Sequence, residues 1–203
     1  MAKIATLFWD IGGVLLTNGW DRHARRRAVE KFQLDWDEFE DRHELVVAAF
    51  EKGELSLDDY LEQTVFHCDR TITKQAFQEF IFAQSKPDPA ALTLIDRIAS
   101  SHKCNMAMLN NESLELNEYR IRQFNLRKYF RVFLSSCYLG VRKPEKTNYR
   151  MALQLTQCVP QEALLIDDRV LNVEAARRSQ MNAIQFTSAT QCEKELRAMG
   201  VEW

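Results

Sequence analysis

Three observations predict an α/β fold for this 203-residue chain: a doubly wound, mainly parallel sheet with a small all-helical insert. Short apolar, β-favouring runs alternate with segments of helical periodicity on both flanks of the chain, as βα crossover units require. Residues 20 to about 86 break that alternation, showing helical periodicity and little sign of strand. Three apolar runs end abruptly in polar residues, at Asp10, at Asn110-Asn111 and at Asp167-Asp168. In a parallel sheet such ends share one edge, and ligands bind outside that edge.

The first strand spans residues 4–10, where Ile4 to Trp9 runs into Asp10 and then Gly12-Gly13. Asp21 caps a helix reaching Phe32. The next helix covers residues 35–50, with Trp36, Phe39, Leu45, Val46, Ala49 and Phe50 near one face, and Gly53 stops it. Ser56 opens a third helix, to about Cys68, with Asp59 in a capping-box position. Thr73 opens a fourth, carrying Phe77, Phe80 and Ile81. The pattern changes after Pro87 and Pro89. Helices are then predicted at 90–100, 114–124, 170–179 and 189–199, and strands at 104–109, 131–134, 163–166 and 183–186. Pro144 is placed in the first turn of a further helix ending near Thr156, where proline is tolerated. The expected division is a core of 1–17 and 88–203 around an insert of 18–87, with hinges at Asn18-Gly19 and 85–89.

Apolar residues at 46% and charged residues at 28% fit an ordinary globular chain. A net charge of -2 argues against nucleic acid or an anionic membrane surface as partner. No apolar run approaches the length of a membrane span, and no charged-then-apolar leader suggests secretion. The five scattered cysteines form no C-x-x-C pair, so they are read as reduced packing thiols of a cytoplasmic protein. His23, His43, His67 and His102 lack metal-ligand spacing and are expected on the surface or in the insert. The basic cluster Arg22, Arg25, Arg26, Arg27 and Lys31 is either a solvated helix face or a steering patch for an anionic substrate. Trp20 lines the pocket or packs in the insert.

The strand ends, together with Lys143 in the loop from Gly140 to Pro144, supply three carboxylates, one ammonium and amide donors. That set suits a magnesium ion held by few carboxylates plus a substrate phosphate. Lys143 offsets charge between Asp10 and an incoming phosphoryl group, and Asn110 and backbone N–H groups donate to phosphate oxygens. Asp10 is placed to attack phosphorus. Each member also has a plainer reading: Asp10 starts a turn, Asp168 caps a helix, Lys143 is a solvated charge, and Asn110 satisfies local backbone.

In order along the chain, Phe8 to Leu15, Met106 to Asn111, Ser136 to Pro144, and Leu164 to Asp168 with Asn172 resemble the four motifs of the haloacid dehalogenase-like superfamily. The insert is similar to that family's small helical cap, and Phe50 to Ser56 resembles a stretch in its sugar-phosphate phosphatases. The resemblance implies a Rossmann-like core and a Mg2+-dependent phosphatase acting on a small phosphorylated metabolite through an aspartyl-phosphate at Asp10. It implies Lys143 as the residue steadying nucleophile and phosphate, and Asn110, Asn111 and Gly12 at the phosphate. Asp10, Asp167, Asp168 and the Gly12 carbonyl are the implied metal ligands.

Two positions depart from the pattern. Gly12 stands where phosphatases usually carry a second aspartate as general acid/base, and Asn110 stands where Ser or Thr usually binds phosphate. General acid/base catalysis contributes about 10²–10⁴-fold, roughly 3–5 kcal/mol of barrier. Its loss falls mainly on alkyl phosphates, whose leaving group needs a proton. Two alternatives stay open: a catalytically reduced member that binds phosphometabolites or a protein partner, and a metal-independent dehalogenase-type hydrolase. The paired Asp167-Asp168 argues against the latter, because carboxylates facing Asp10 repel one another unless a cation lies between them.

Overall fold

The computed structural model describes residues 3–203, so the first two residues of the expected core segment lie outside the described residues. Among the described residues, five strands form one parallel sheet. They are β1 (Thr6–Trp9), β2 (Asn105–Met108), β3 (Val132–Phe133), β4 (Ala163–Asp167) and β5 (Asn182–Gln185), in the order β3-β2-β1-β4-β5. Central β1 is buried throughout, which is why it reads as a continuous apolar run.

Period-2 alternation distributes its side chains to two cores. Leu7 and Trp9 join Leu164 and Ile166 on one face, packed against α5 (Pro89–Ser101) and α10 (Ala189–Ala198) through Leu94, Ile95, Ile98 and Leu196. Phe8 and Leu165 join Tyr149 and Ala152 of α8 (Lys146–Thr156) and Val173 and Ala176 of α9 (Val170–Arg178) on the other. Helices on both faces make the sheet doubly wound. No helix is long and apolar enough to cross a membrane among the described residues.

Between β1 and α5 lie α1 (Arg22–Phe32), α2 (Trp36–Glu51), α3 (Leu57–Thr64) and α4 (Lys74–Ala83). They share a third core built on Trp20, Phe39, Phe50, Tyr60 and Phe77. That core also takes in Leu116 of α6 (Leu114–Gln123), and Tyr119 of the same helix stacks on Phe82. Asp21, Asp35, Ser56 and Thr73 cap these helices through side-chain oxygens; the sequence predicts the cap at Asp21 and helix starts at Ser56 and Thr73, and Asp35, read as the first helical residue, is the cap instead.

Three boundaries differ from expectation. The helix opened by Ser56 ends at Thr64 rather than near Cys68. Residues 136–139 form a short helix, α7 (Ser136–Leu139), closed by Gly140 in the left-handed region at φ 67°. Pro144 stays in the turn that follows, and α8 begins two residues later with Glu145 as its cap.

Candidate active site

Strand register assembles the site. Trp9 lies opposite both Met108 and Ile166, so Asp10, Leu109 and Asp167 emerge side by side from the same sheet edge. Asp10 N–H donates to the Ile166 carbonyl at 2.9 Å, and Leu109 N–H donates to the Trp9 carbonyl at 2.8 Å. The Asp10 side chain then accepts the Ile11 N–H at 2.8 Å, which turns the carboxylate to the edge.

Lys143 is fully enclosed here. Its Nζ lies 3.1 Å from Asp10 Oδ1 and 2.6 Å from Asp167 Oδ2, and it donates to the Leu109 carbonyl at 2.7 Å. Burial disfavours the ammonium, but Asp10 and Asp167 outweigh burial and raise the Lys143 pKa above the ordinary lysine value. Asp167 is fixed further by the Arg169 N–H at 2.9 Å and by the Asn172 amide. The loop bearing Lys143 is clamped by Asn111, whose side-chain amide accepts the Lys143 N–H and donates to the Lys143 carbonyl, both at 2.8 Å.

Asp168 neither caps α9 nor points away. Residue 169 is the helix cap, and the local N–H bond goes to Asp167. One oxygen each from Asp10, Asp167 and Asp168 lies within 4.8 Å of the others, and buried Asp168 Oδ1 has no hydrogen-bond partner. Burial raises the Asp10 pKa, Asp167 and Asp168 raise it further, and Lys143 opposes them. Burial and Asp167 likewise raise that of Asp168. This all-oxygen donor set with excess negative charge fits a hard divalent cation.

A cavity of about 430 Å³ opens above Asp10, Gly12, Asn111 and Lys143, walled on the far side by Trp20, Arg22, His43 and Phe50. Trp20 does both things foreseen for it: it packs against Phe39 and Phe77 and also lines the cavity. Arg25 is buried against Glu40 at 2.8 Å, and Arg142 pairs with Glu51 at 2.8 Å. Arg22 and Arg26 lie over the Trp36 ring.

Asn110, expected at the phosphate, is turned away from the cavity. Its Nδ2 donates to Asn117 Oδ1 at 3.1 Å, and Ser135 Oγ donates to that same oxygen. The buried polar partner on α6 draws the amide under the strand rather than outward.

Among the cavity residues to which the sequence reading gave no site role are His43, Glu112 and Arg120. His43 follows the one-face spacing that also brings Val47 and Phe50 to the cavity. Its Nδ1 lies 2.8 Å from Tyr60 Oη, which accepts the Trp20 Nε1–H at 2.9 Å. Glu112 directly follows Asn110-Asn111, so a carboxylate at that strand end was present to be read. Arg120 carried no local signal. It pairs with Glu112 at 2.9 Å and donates to the Ser85 hydroxyl and to the Thr17 carbonyl, both at 3.0 Å. Gly19, at φ 71°, makes room for it, since a β-carbon there would come within 1.8 Å of Arg120 Nη2.

A family model described as haloacid dehalogenase-like hydrolase matches residues 4–180. Among solved structures, a HAD family enzyme of Bacteroides thetaiotaomicron aligns with TM-score 0.79 at 19% identity, covering 92% of this chain and 95% of that one. The same enzyme in complex with magnesium and inorganic phosphate aligns with TM-score 0.73 at 18% identity, covering 91% and 94%. A protein of Porphyromonas gingivalis described as a predicted HAD-like family hydrolase aligns with TM-score 0.75 at 18% identity, covering 97% and 98%. Acyl-CoA dehydrogenase family member 10 of Mus musculus is 24% identical over 156 residues. The match takes in 74% of this chain but spans only 14% of that protein's length. The motifs, the doubly wound sheet and the family match over most of the sequence agree, and the chain belongs to the haloacid dehalogenase-like hydrolases.

Proposed function

We propose that this hydrolase releases phosphate from a small phosphorylated metabolite through an aspartyl-phosphate at Asp10. The observation that carries the reading is the enclosed Lys143 ammonium between Asp10 and Asp167, with Asp168 beside them. Asp10, Asp167, Asp168 and the Gly12 carbonyl are the groups that would hold Mg2+, which the relative from Bacteroides binds together with phosphate. When bound, the cation supplies neutralising charge that lets an anionic carboxylate and an anionic phosphate approach each other.

The chain's own residues do the rest. Asp10 Oδ forms the bond to phosphorus. Lys143 offsets charge at the nucleophile, and Asn111 holds the lysine loop in register. Residues 18–87, with helices α1–α4, act as a cap over the core, and the cavity beneath them suits a small molecule. Five free thiols fit a cytoplasmic setting.

The test is phosphate release from acetyl phosphate, sugar 1-phosphates and simple alkyl phosphates, with and without magnesium. Release that needs magnesium and disappears in Asp10→Asn, with the fold retained, is expected. No release from any of them refutes the reading. The turned-away Asn110 favours one competitor, a reduced member that binds phosphometabolites without turnover. Saturable phosphate binding without release would be its outcome.

A further inference from the structure

We propose that Glu112 is the proton donor and acceptor that Gly12 does not provide, so that the site handles phosphate monoesters of ordinary alcohols. This rests on the phosphatase reading above.

Glu112 is a buried carboxyl that lines the same cavity as Asp10 and Lys143. Its position is set on both oxygens: Oε1 accepts the Ser113 N–H at 3.1 Å, and Oε2 meets Arg120 Nη1 at 2.9 Å. Its own N–H is held by Ser136 Oγ at 3.0 Å. The same Arg120 Nη1 lies 3.6 Å from the place a β-carbon on Gly12 would take. Arg120, the guanidinium that holds Glu112, thus borders the volume that a second aspartate at position 12 would enter, alongside Asn18, whose Oδ1 lies 3.1 Å from that place. Arg120 is anchored to Thr17 and Ser85, which fixes its partner in turn.

The charged groups facing Glu112 are Arg120 and Glu51. Burial, aided by Glu51 and opposed by Arg120 and the Ser113 N–H, leaves the Glu112 carboxyl raised to about 7. A carboxyl near neutrality gives and takes a proton with comparable ease.

The steps balance as follows. Asp10 Oδ bonds to phosphorus while the phosphorus–oxygen bond to the alcohol breaks, and the departing oxygen keeps the electron pair and takes the Glu112 proton. Glu112, now a carboxylate, takes a proton from the water that attacks the aspartyl-phosphate. The water oxygen bonds to phosphorus as the bond from phosphorus to Asp10 Oδ breaks; Asp10 keeps that electron pair as a carboxylate, inorganic phosphate departs, and Glu112 is left protonated again.

The experiment compares kcat/KM for glycerol 3-phosphate, phenyl phosphate and 4-nitrophenyl phosphate in wild type and Glu112→Gln. Wild type is expected to depend weakly on leaving-group basicity. Glu112→Gln is expected to lose about 10²–10⁴-fold on glycerol 3-phosphate while keeping 4-nitrophenyl phosphate within about threefold, steepening that dependence. Gly12→Asp added to Glu112→Gln is expected to recover the alkyl ester. Equal losses on all three esters would make Glu112 merely structural and overturn the inference, while phosphatase activity itself would stand. A steep dependence already in wild type overturns it without any variant, and so decides the matter even where Glu112→Gln does not fold. If wild type releases phosphate from nothing, the phosphatase reading fails and this one with it.

Discussion

Asp168 Oδ2 lies 2.2 Å from where a β-carbon on Gly13 would stand. The backbone of Gly13 and the carboxylate of Asp168 therefore share one space, and Gly13 sits at φ 72°, in the left-handed region. Any side chain at position 13 must move a predicted metal ligand. Gly13→Ala is expected to weaken magnesium binding by at least tenfold, read by isothermal titration. It should also cost about 1–2 kcal/mol of stability from backbone strain. Magnesium affinity equal to wild type would show that Asp168 has no part in the metal site.

Lys143 is the cation enclosed between Asp10 and Asp167. Removing one partner of such a group leaves buried charge uncompensated, which typically costs roughly 3–5 kcal/mol. Lys143→Met is expected to lose stability of that order in urea unfolding and to lose phosphate release. If added magnesium restores part of the stability, the cation and the ammonium are sharing the task of neutralising the carboxylates. A Lys143→Met protein as stable as wild type would refute the enclosed-charge account.

His43 yields a prediction about pH. Burial, with Arg25 adding to it and Glu40 partly opposing both, pulls its pKa from 6.5 to about 4. The unfolded chain therefore binds a proton at His43 before the folded chain does. Above the unfolded value the residue is neutral in both states and affects nothing. As pH falls from 6.5 towards 4, the unfolded state gains, and stability is lost by roughly 3 kcal/mol in all. His43→Gln is expected to flatten the wild-type loss between pH 6.5 and 4, measured by chemical denaturation. An unchanged slope in that window would remove His43 as its source.

Chelation separates the remaining chemistries. With Asp10, Asp167 and Asp168 drawn together, EDTA is expected to stop phosphate release, and magnesium is expected to restore it. Hydrolysis of a 2-haloacid that survives EDTA would instead favour the metal-independent route by Asp10. The same titration should raise the melting temperature as magnesium is added, because a ligand that binds only the folded state stabilises it by mass action.

Much of this protein is legible in its residues. Apolar runs ending at Asp10, Asn110 and Asp167 mark three neighbouring strand ends, because a strand buried on both faces must be apolar until it leaves the sheet. The parallel order follows from the alternation of strand and helix, and with it the meeting of Asp10, Asp167, Asp168 and Lys143 at one edge. The cap at Asp21 and the capping box at Ser56 were equally visible, since a capping hydrogen bond joins residues two or three apart.

Tertiary structure decided what depends on side-chain direction across long separations. Asn110 turned inward because Asn117 Oδ1, which also accepts the Ser135 hydroxyl, offered it a buried partner. His43 reached the cavity because packing of Trp20 and Tyr60 fixed the rotation of α2. Arg120 was brought beside Gly12 and Glu112 by contacts with residues 35 and 103 positions away, at Ser85 and Thr17. Periodicity and capping are local and can be read along the chain, whereas the pairing of a buried charge is set by whichever distant group the fold places within reach.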